Sequence, residues 1–152
     1  MPHILCPRCA PPPSRFGGGI GTWTYKALGG LDTVSNTTTT GWRHVIVRPL
    51  EAALQTLGSG AASITTRFGP TSVAWTLAGR TLELNTTIPT GSTADVYLAG
   101  ATRVVESDTV VWANGVFTPV AGITGAWTAV RSNVTSVVFA VGSGQYAFTA
   151  TV

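Results

Sequence analysis

Little of this chain is charged: 10% of its 152 residues are Asp, Glu, Lys or Arg, against 44% hydrophobic. That balance excludes a disordered polyelectrolyte and a coiled coil, and with 18 glycines and many Thr and Val it favours an all-β globular domain. The nine basic residues (Arg8, Arg15, Lys26, Arg43, Arg48, Arg67, Arg80, Arg103 and Arg131) are scattered. The net charge of +3 therefore reflects scarce acids, not a phosphate-binding face, and no nucleic-acid partner is expected. Apolar runs are a handful of residues, far below the roughly 20 that span a bilayer, so no membrane partner is expected either. The first ten residues lack the continuous hydrophobic stretch of a signal peptide.

Cysteine is equally scarce. Cys6 and Cys9 form one C-x-x-C pair. A structural zinc site takes four ligands, and His3 adds at most a third. A redox pair belongs at the start of a helix, whereas Pro11, Pro12 and Pro13 follow here and oppose one. Residues 1–15 read as an unstructured leader with incidental cysteines. A small zinc protein built on His3, Cys6 and Cys9 is the weakest rival, and no cofactor is expected.

Acids number six: Asp32, Glu51, Glu83, Asp95, Glu106 and Asp108. Glu83 and Asp95 fall on polar strand faces, and Asp32 and Asp108 read as turn residues. Glycoside hydrolysis needs two carboxyls across a cleft, and no spacing here suggests such a pair. His44 sits inside a β-type run with no Ser-His-acid set around it. The sequence offers no catalytic residue and no metal ligand set.

What is present begins with one short helix. Ile20, Trp23, Thr24, Ala27 and Leu28 recur at helical spacing, and Gly29-Gly30 stop the helix where a left-handed cap is needed. So short a helix is marginal alone, its Trp-bearing face wants a partner, and no second helix of comparable quality follows. Gly17, Gly18, Gly19 and Gly21 fail the G-x-G-x-x-G spacing and read as a flexible lead-in. A Thr-rich loop leads to Trp42, Val45, Ile46 and Val47, a β-type run closed by Pro49.

From Ala61 the period is two. Ala62, Ile64, Thr66 and Phe68 alternate with polar residues, and Gly69-Pro70 is expected to turn the chain. Val73, Trp75 and Leu77 share a face, Ala78-Gly79-Arg80 turns it again, and Leu82, Leu84, Thr86 and Ile88 point one way. Ala94, Val96 and Leu98 continue the pattern. Short candidates at 103–106 and 109–112 precede strands at 127–131, 134–141 and 145–152. The last two are expected to pair as a hairpin through Gly142-Ser143-Gly144, with Tyr146, Phe148 and Ala150 on one face. Strands punctuated this often argue for two antiparallel sheets stacked as a sandwich, jelly-roll-like in form.

Trp23, Trp42, Trp75, Trp112 and Trp127 could stack on sugar rings, although core positions suit their large area as well. Asn36, Asn85 and Asn133 each open an N-x-Thr glycosylation sequon. Sequons point toward secretion, without disulfide support from the two cysteines, and assign this chain no compartment.

Four segments resemble the end of a bacterial or fungal α-L-rhamnosidase: GTWTYKALGGLD (21–32), GWRHVIVRP (41–49), TSVAWTLAGRTLELNTTIPTGSTADVYLAG (71–100) and VGSGQYAFTATV (141–152). In such enzymes the first is similar to the last helix of an (α/α)6 barrel, and the remainder to a C-terminal β-sandwich packed on it. The resemblance implies a parent that hydrolyses terminal L-rhamnose with inversion, through acidic residues of the barrel. It divides the chain into a foreign leader (1–15), a remnant barrel helix and loop (16–40) and the sandwich (41–152). The family's Asn-His-x-Met-Phe-Gly-Ser run is here Pro12-Pro13-Ser14-Arg15-Phe16-Gly17-Gly18, with Pro13 at the His position. The expected product is a truncated or wrongly joined gene: a non-catalytic accessory domain whose partner, the catalytic barrel, is missing. The alternative is a stand-alone carbohydrate-binding module, which requires at least two exposed, coplanar tryptophans on one sheet.

Overall fold

The computed structural model describes residues 21, 23–33 and 41–152. Residues 1–15 with His3, Cys6 and Cys9, expected to be an unstructured leader, the glycines at 17–19 and the sequon at Asn36 lie outside them.

Two sheets face each other. One has five strands in the order β1 (Leu31–Thr33), β2 (His44–Val47), β6 (Thr93–Ala99), β11 (Val134–Val141), β10 (Ile123–Arg131). The other has seven, in the order β3 (Ser59–Thr66), β4 (Gly69–Ala78), β5 (Thr81–Ile88), β12 (Gly144–Thr151), β7 (Arg103–Glu106), β8 (Thr109–Ala113), β9 (Val116–Phe117). Pairing is antiparallel throughout except between β2 and β6. The mainly β sandwich expected from the alternation is therefore what forms.

The period-two pattern places side chains where it should. Val73 and Trp75 on β4, Leu82 and Leu84 on β5, Val96 and Leu98 on β6, and Tyr146, Phe148 and Ala150 on β12 are buried between the sheets. Phe139 of the five-stranded sheet stacks on Phe148 of the seven-stranded one, centroids 5.3 Å apart, and Tyr146 and Phe117 extend this ring cluster.

Four expectations need correction. The strands 134–141 and 144–151 do not form a hairpin: β11 pairs with β10 and β6, β12 with β5 and β7, and Gly142-Ser143 carries the chain from one sheet to the other. Alternation dictates which residues turn inward, and two strands facing each other across the core satisfy it as well as two side by side. Gly69-Pro70 does not turn the chain. Thr66 pairs with Gly69, so Arg67-Phe68 form the turn and Gly69 already begins β4. Asp32 is no turn residue but lies in β1, opposite Ile46. Finally, a seven-residue helix unmarked in the sequence reading, α1 (Glu51–Leu57), bridges β2 and β3. It buries Ala53 and Leu54 and ends on Gly58, left-handed at φ 73.

Tight turns make the remaining connections. Ser107-Asp108, Asn114-Gly115 and Ser132-Asn133 each place two residues at positive φ between paired strands, as in the type I′ hairpin turn whose twist matches the sheet. Asp108 is thus the turn residue it was read to be.

Where the chain changes sheets, one side chain ties the ends together. The Tyr146 hydroxyl donates its proton to the carbonyls of Gly122 (3.0 Å) and Gly142 (3.2 Å), joining the entry of β10 to the β11–β12 crossover. Burial raises the Tyr146 pKa, and the negative charge of Glu106 adds to the rise. With the folded pKa above the unfolded value, the contribution of this phenol is complete below about pH 10 and is lost as pH climbs through the folded pKa. Tyr146→Phe should therefore cost about 1–2 kcal/mol at neutral pH. Urea unfolding of the variant should also show a shallower alkaline decline than the wild type.

Candidate functional site

Close to the sandwich, at the start of the described chain, sits a π-helix, Thr24–Gly29. The helix expected at this place is there, and Gly30 ends it in the left-handed conformation at φ 79, as the glycine pair implied. Its last residues are built into the domain. Gly29 is pressed against Ala62 so closely that an added Cβ would overlap the alanine methyl. The Trp75 indole N–H donates to the Leu28 carbonyl (3.1 Å), Arg48 N–H to the Gly30 carbonyl (2.6 Å) and Leu50 N–H to the Ala27 carbonyl (3.1 Å). Trp75 can reach because its ring lies over Gly60, where any side chain would collide with it.

The other end of the helix is open. Trp23 is 57% exposed and Tyr25 47%, although the Tyr25 hydroxyl donates to the Ser63 carbonyl on the border strand β3. A helix end held by backbone bonds whose aromatic side chains face solvent is an unusual surface, since large aromatics are normally placed to bury their area. An open groove of about 900 Å³ runs from Tyr25 and Leu28 over the seven-stranded sheet, where Ser63, Ala74, Asn85 and Gln145 line it. No Asp, Glu, His, Cys, Lys or Arg lines the groove.

The outer face of the five-stranded sheet carries the polar side chains. His44 Nε2 meets Asp95 Oδ2 at 3.0 Å and its Nδ1 meets Thr93 Oγ1 at 2.8 Å. The parallel register of β2 on β6, with His44 opposite Thr93 and Ile46 opposite Asp95, creates this cluster. Asp95 lies on the polar face that the alternation of its strand predicts, but nothing local announces that two strands so distant in sequence are neighbours. Lys26 pairs with Asp32 at 2.9 Å, and the Arg48 guanidinium lies 5.2 Å from the Tyr97 ring centre.

Asp32 and Asp95 share a row of this face, separated by Ile46. They do not oppose each other across a cleft, and each is engaged, Asp32 by Lys26 and the Thr33 N–H and Asp95 by His44. Glu83 lies on the other sheet, and Glu106 accepts from the Ser107 hydroxyl. Among the described residues no three His, Cys, Asp or Glu gather as metal ligands.

The tryptophans split. Trp75 and Trp112 are buried, Trp42 is half-buried, and exposure is left to Trp23 on the helix and Trp127 (42%) on β10. Those two lie on different elements, so no pair of exposed tryptophans shares a sheet. Of the described sequons, Asn85 is exposed on β5 inside the groove and Asn133 is exposed in the Ser132-Asn133 turn.

Residues 30–113, over half of the chain, match the family described as bacterial alpha-L-rhamnosidase C-terminal domain. Among solved structures, the α-L-rhamnosidase from Dictyoglumus thermophilum superposes with a TM-score of 0.65 at 18% identity, over 88% of this chain and 13% of that one. A Streptomyces avermitilis α-L-rhamnosidase, solved in complex with L-rhamnose, does so with a TM-score of 0.61 at 25% identity, over 86% of this chain and 10% of that one. No curated protein matches the chain significantly. The chain thus spans only a small part of the length of the enzymes it resembles. Fold and sequence match agree: this chain belongs to the family of bacterial α-L-rhamnosidase C-terminal domains.

Proposed function

We propose that the chain is an accessory, non-catalytic β-sandwich that leans on the catalytic barrel of an inverting α-L-rhamnosidase and holds it rigid. Residues 16–40 supply the last barrel helix and its loop in this reading, residues 41–152 the sandwich, and residues 1–15 a leader from outside the family. The observation that carries it is the π-helix, anchored by Trp75, Arg48 and Leu50 at one end and presenting Trp23 and Tyr25 at the other. Those rings are placed where a second body would bury them. Terminal L-rhamnose would be cleaved in that body, by its own carboxylates.

The rival reading, a free-standing carbohydrate module, finds less support, because the exposed tryptophans are not assembled on one sheet. In a host that glycosylates, Asn133 is the better placed of the two described sequons to carry a glycan, and a glycan on Asn85 would fill the groove.

Purified protein is expected to release no more phenol from an aryl α-L-rhamnoside than buffer does, and turnover that survives repurification would overturn the assignment. Added α-L-rhamnosidase barrel lacking its own C-terminal domain should blue-shift the tryptophan fluorescence, and Trp23→Ala should remove most of that shift. Rhamnose-containing glycans should leave the fluorescence unchanged; quenching by them would favour the carbohydrate module instead.

A further inference from the structure

The four edges of the sandwich are treated unequally. Strand β9 is two residues long and β1 three, too short to template another chain. The π-helix borders β3 and takes its Ser63 carbonyl through Tyr25. Strand β10 is nine residues long and, among the described strands, pairs with β11 alone. It exposes Trp127 at 42% and Val130 at 72%, contains no proline, and has no charge before Arg131. Short strands, charges, prolines and covering segments are the usual protections of a free edge. Strand β10 has only a register shift between Ile123 and Gly125, which leaves 125–131 regular.

We propose that β10 is the contact between two copies of this chain, joined edge to edge and antiparallel about a twofold axis at Thr128. The five-stranded sheet of one copy then continues into that of its partner. The register that uses all of 125–131 is centred on Thr128, and the residues fit it. Trp127 of each copy faces the partner's Ala129, a large ring against a methyl. Ala126 faces the partner's Val130, which covers the most exposed apolar side chain of the strand. Thr128 meets its own copy on the axis, a favourable cross-strand pair. Arg131 faces the partner's Gly125, diagonal to Trp127 and within reach of that indole for a cation–π contact. No like charges are opposed. A twofold of this kind is closed, so it ends at a dimer instead of a fibre.

This goes beyond the docking role and is independent of it. Strand β10 and the helix-bearing border strand β3 are edges of different sheets, so a partner copy leaves Trp23 and Tyr25 free. Sedimentation velocity of the full chain should show a dimer that dissociates on dilution. Thr128→Lys, which sets two ammonium groups against each other on the axis, should sediment as a monomer at every concentration.

A disulfide trap keeps the test decisive if that variant folds poorly. In a Cys6→Ser, Cys9→Ser background, Thr128→Cys should cross-link two chains under mild oxidation. Directly opposed residues have Cα atoms about 4.5–5.5 Å apart, inside the disulfide range. Ala126→Cys, opposite Val130 and not itself, should stay monomeric on a denaturing gel. A wild type that is monomeric throughout would overturn the proposal and leave the edge to another partner. So would a dimer untouched by Thr128→Lys, or Ala126→Cys cross-linking as readily as Thr128→Cys.

Discussion

Phe148→Ala is expected to cost about 3–5 kcal/mol, the range for removing a buried aromatic ring from a packed core. Phe148 is 1% exposed and stacks between Phe139 of the opposite sheet and Tyr146 of its own strand. It is where the two sheets interlock. Domains of this size carry about 5–15 kcal/mol in all, so one substitution would consume a large share of the margin. Thermal denaturation followed by near-ultraviolet circular dichroism should show a melting temperature lower by tens of degrees, or no cooperative transition. Phe148→Leu should recover part of the loss by refilling the space. An alanine variant that melts within a few degrees of the wild type would mean that the sheets are held together elsewhere.

Gly30→Ala should cost nearly as much, for a different reason. Gly30 adopts φ 79, a left-handed conformation that a side chain resists, and a Cβ there would meet the Cα of Pro49 at 2.7 Å and its Cδ at 2.8 Å. Backbone and proline ring cannot swing aside as a flexible side chain would. Strain of this kind costs of order 1–3 kcal/mol before the clash is counted. The expected outcome is a local failure: the π-helix separates from the sandwich, the Trp75–Leu28 bond opens, and the groove beside Tyr25 loses its wall. Hydrogen exchange should report this as lost protection at the Arg48 and Leu50 amides while β4, β5 and β12 stay protected. Unchanged protection at Arg48 and Leu50 would show that the helix root tolerates a side chain. Since Gly30 joins the helix to the sandwich, the variant should also lose the barrel-induced fluorescence shift of Trp23, although Trp23 itself is untouched.

The charged side chains of the five-stranded sheet's outer face are paired with their neighbours. His44 and Asp95 satisfy each other, Lys26 neutralises Asp32, and the groove beside the helix is lined by Ser63, Ala74, Asn85 and Gln145. A docking role asks for just such a surface: fixed shape, satisfied charges and a few aromatic rings left open.

Alternation and caps are local, and the sequence carried them: which side chains of β4, β5, β6 and β12 turn inward and where the first helix stops; of the turns it placed Asp108 correctly but not Gly69-Pro70 or Asp32. The family resemblance was legible too, because it rests on the order of several segments. Three features were present but too short to read. The seven residues of α1 give less than two turns, β1 has three residues, and Asn114-Gly115 is a hairpin signal flanked by a strand of only two residues. The tertiary structure alone decided which strand lies beside which. A period of two assigns inside and outside but is blind to neighbours, so it could not send β11 and β12 to different sheets, lay β2 parallel to β6, or bring His44 to Asp95. Those choices are made by whole faces burying one another, with Phe139 meeting Phe148 across the sandwich, a condition no single strand contains.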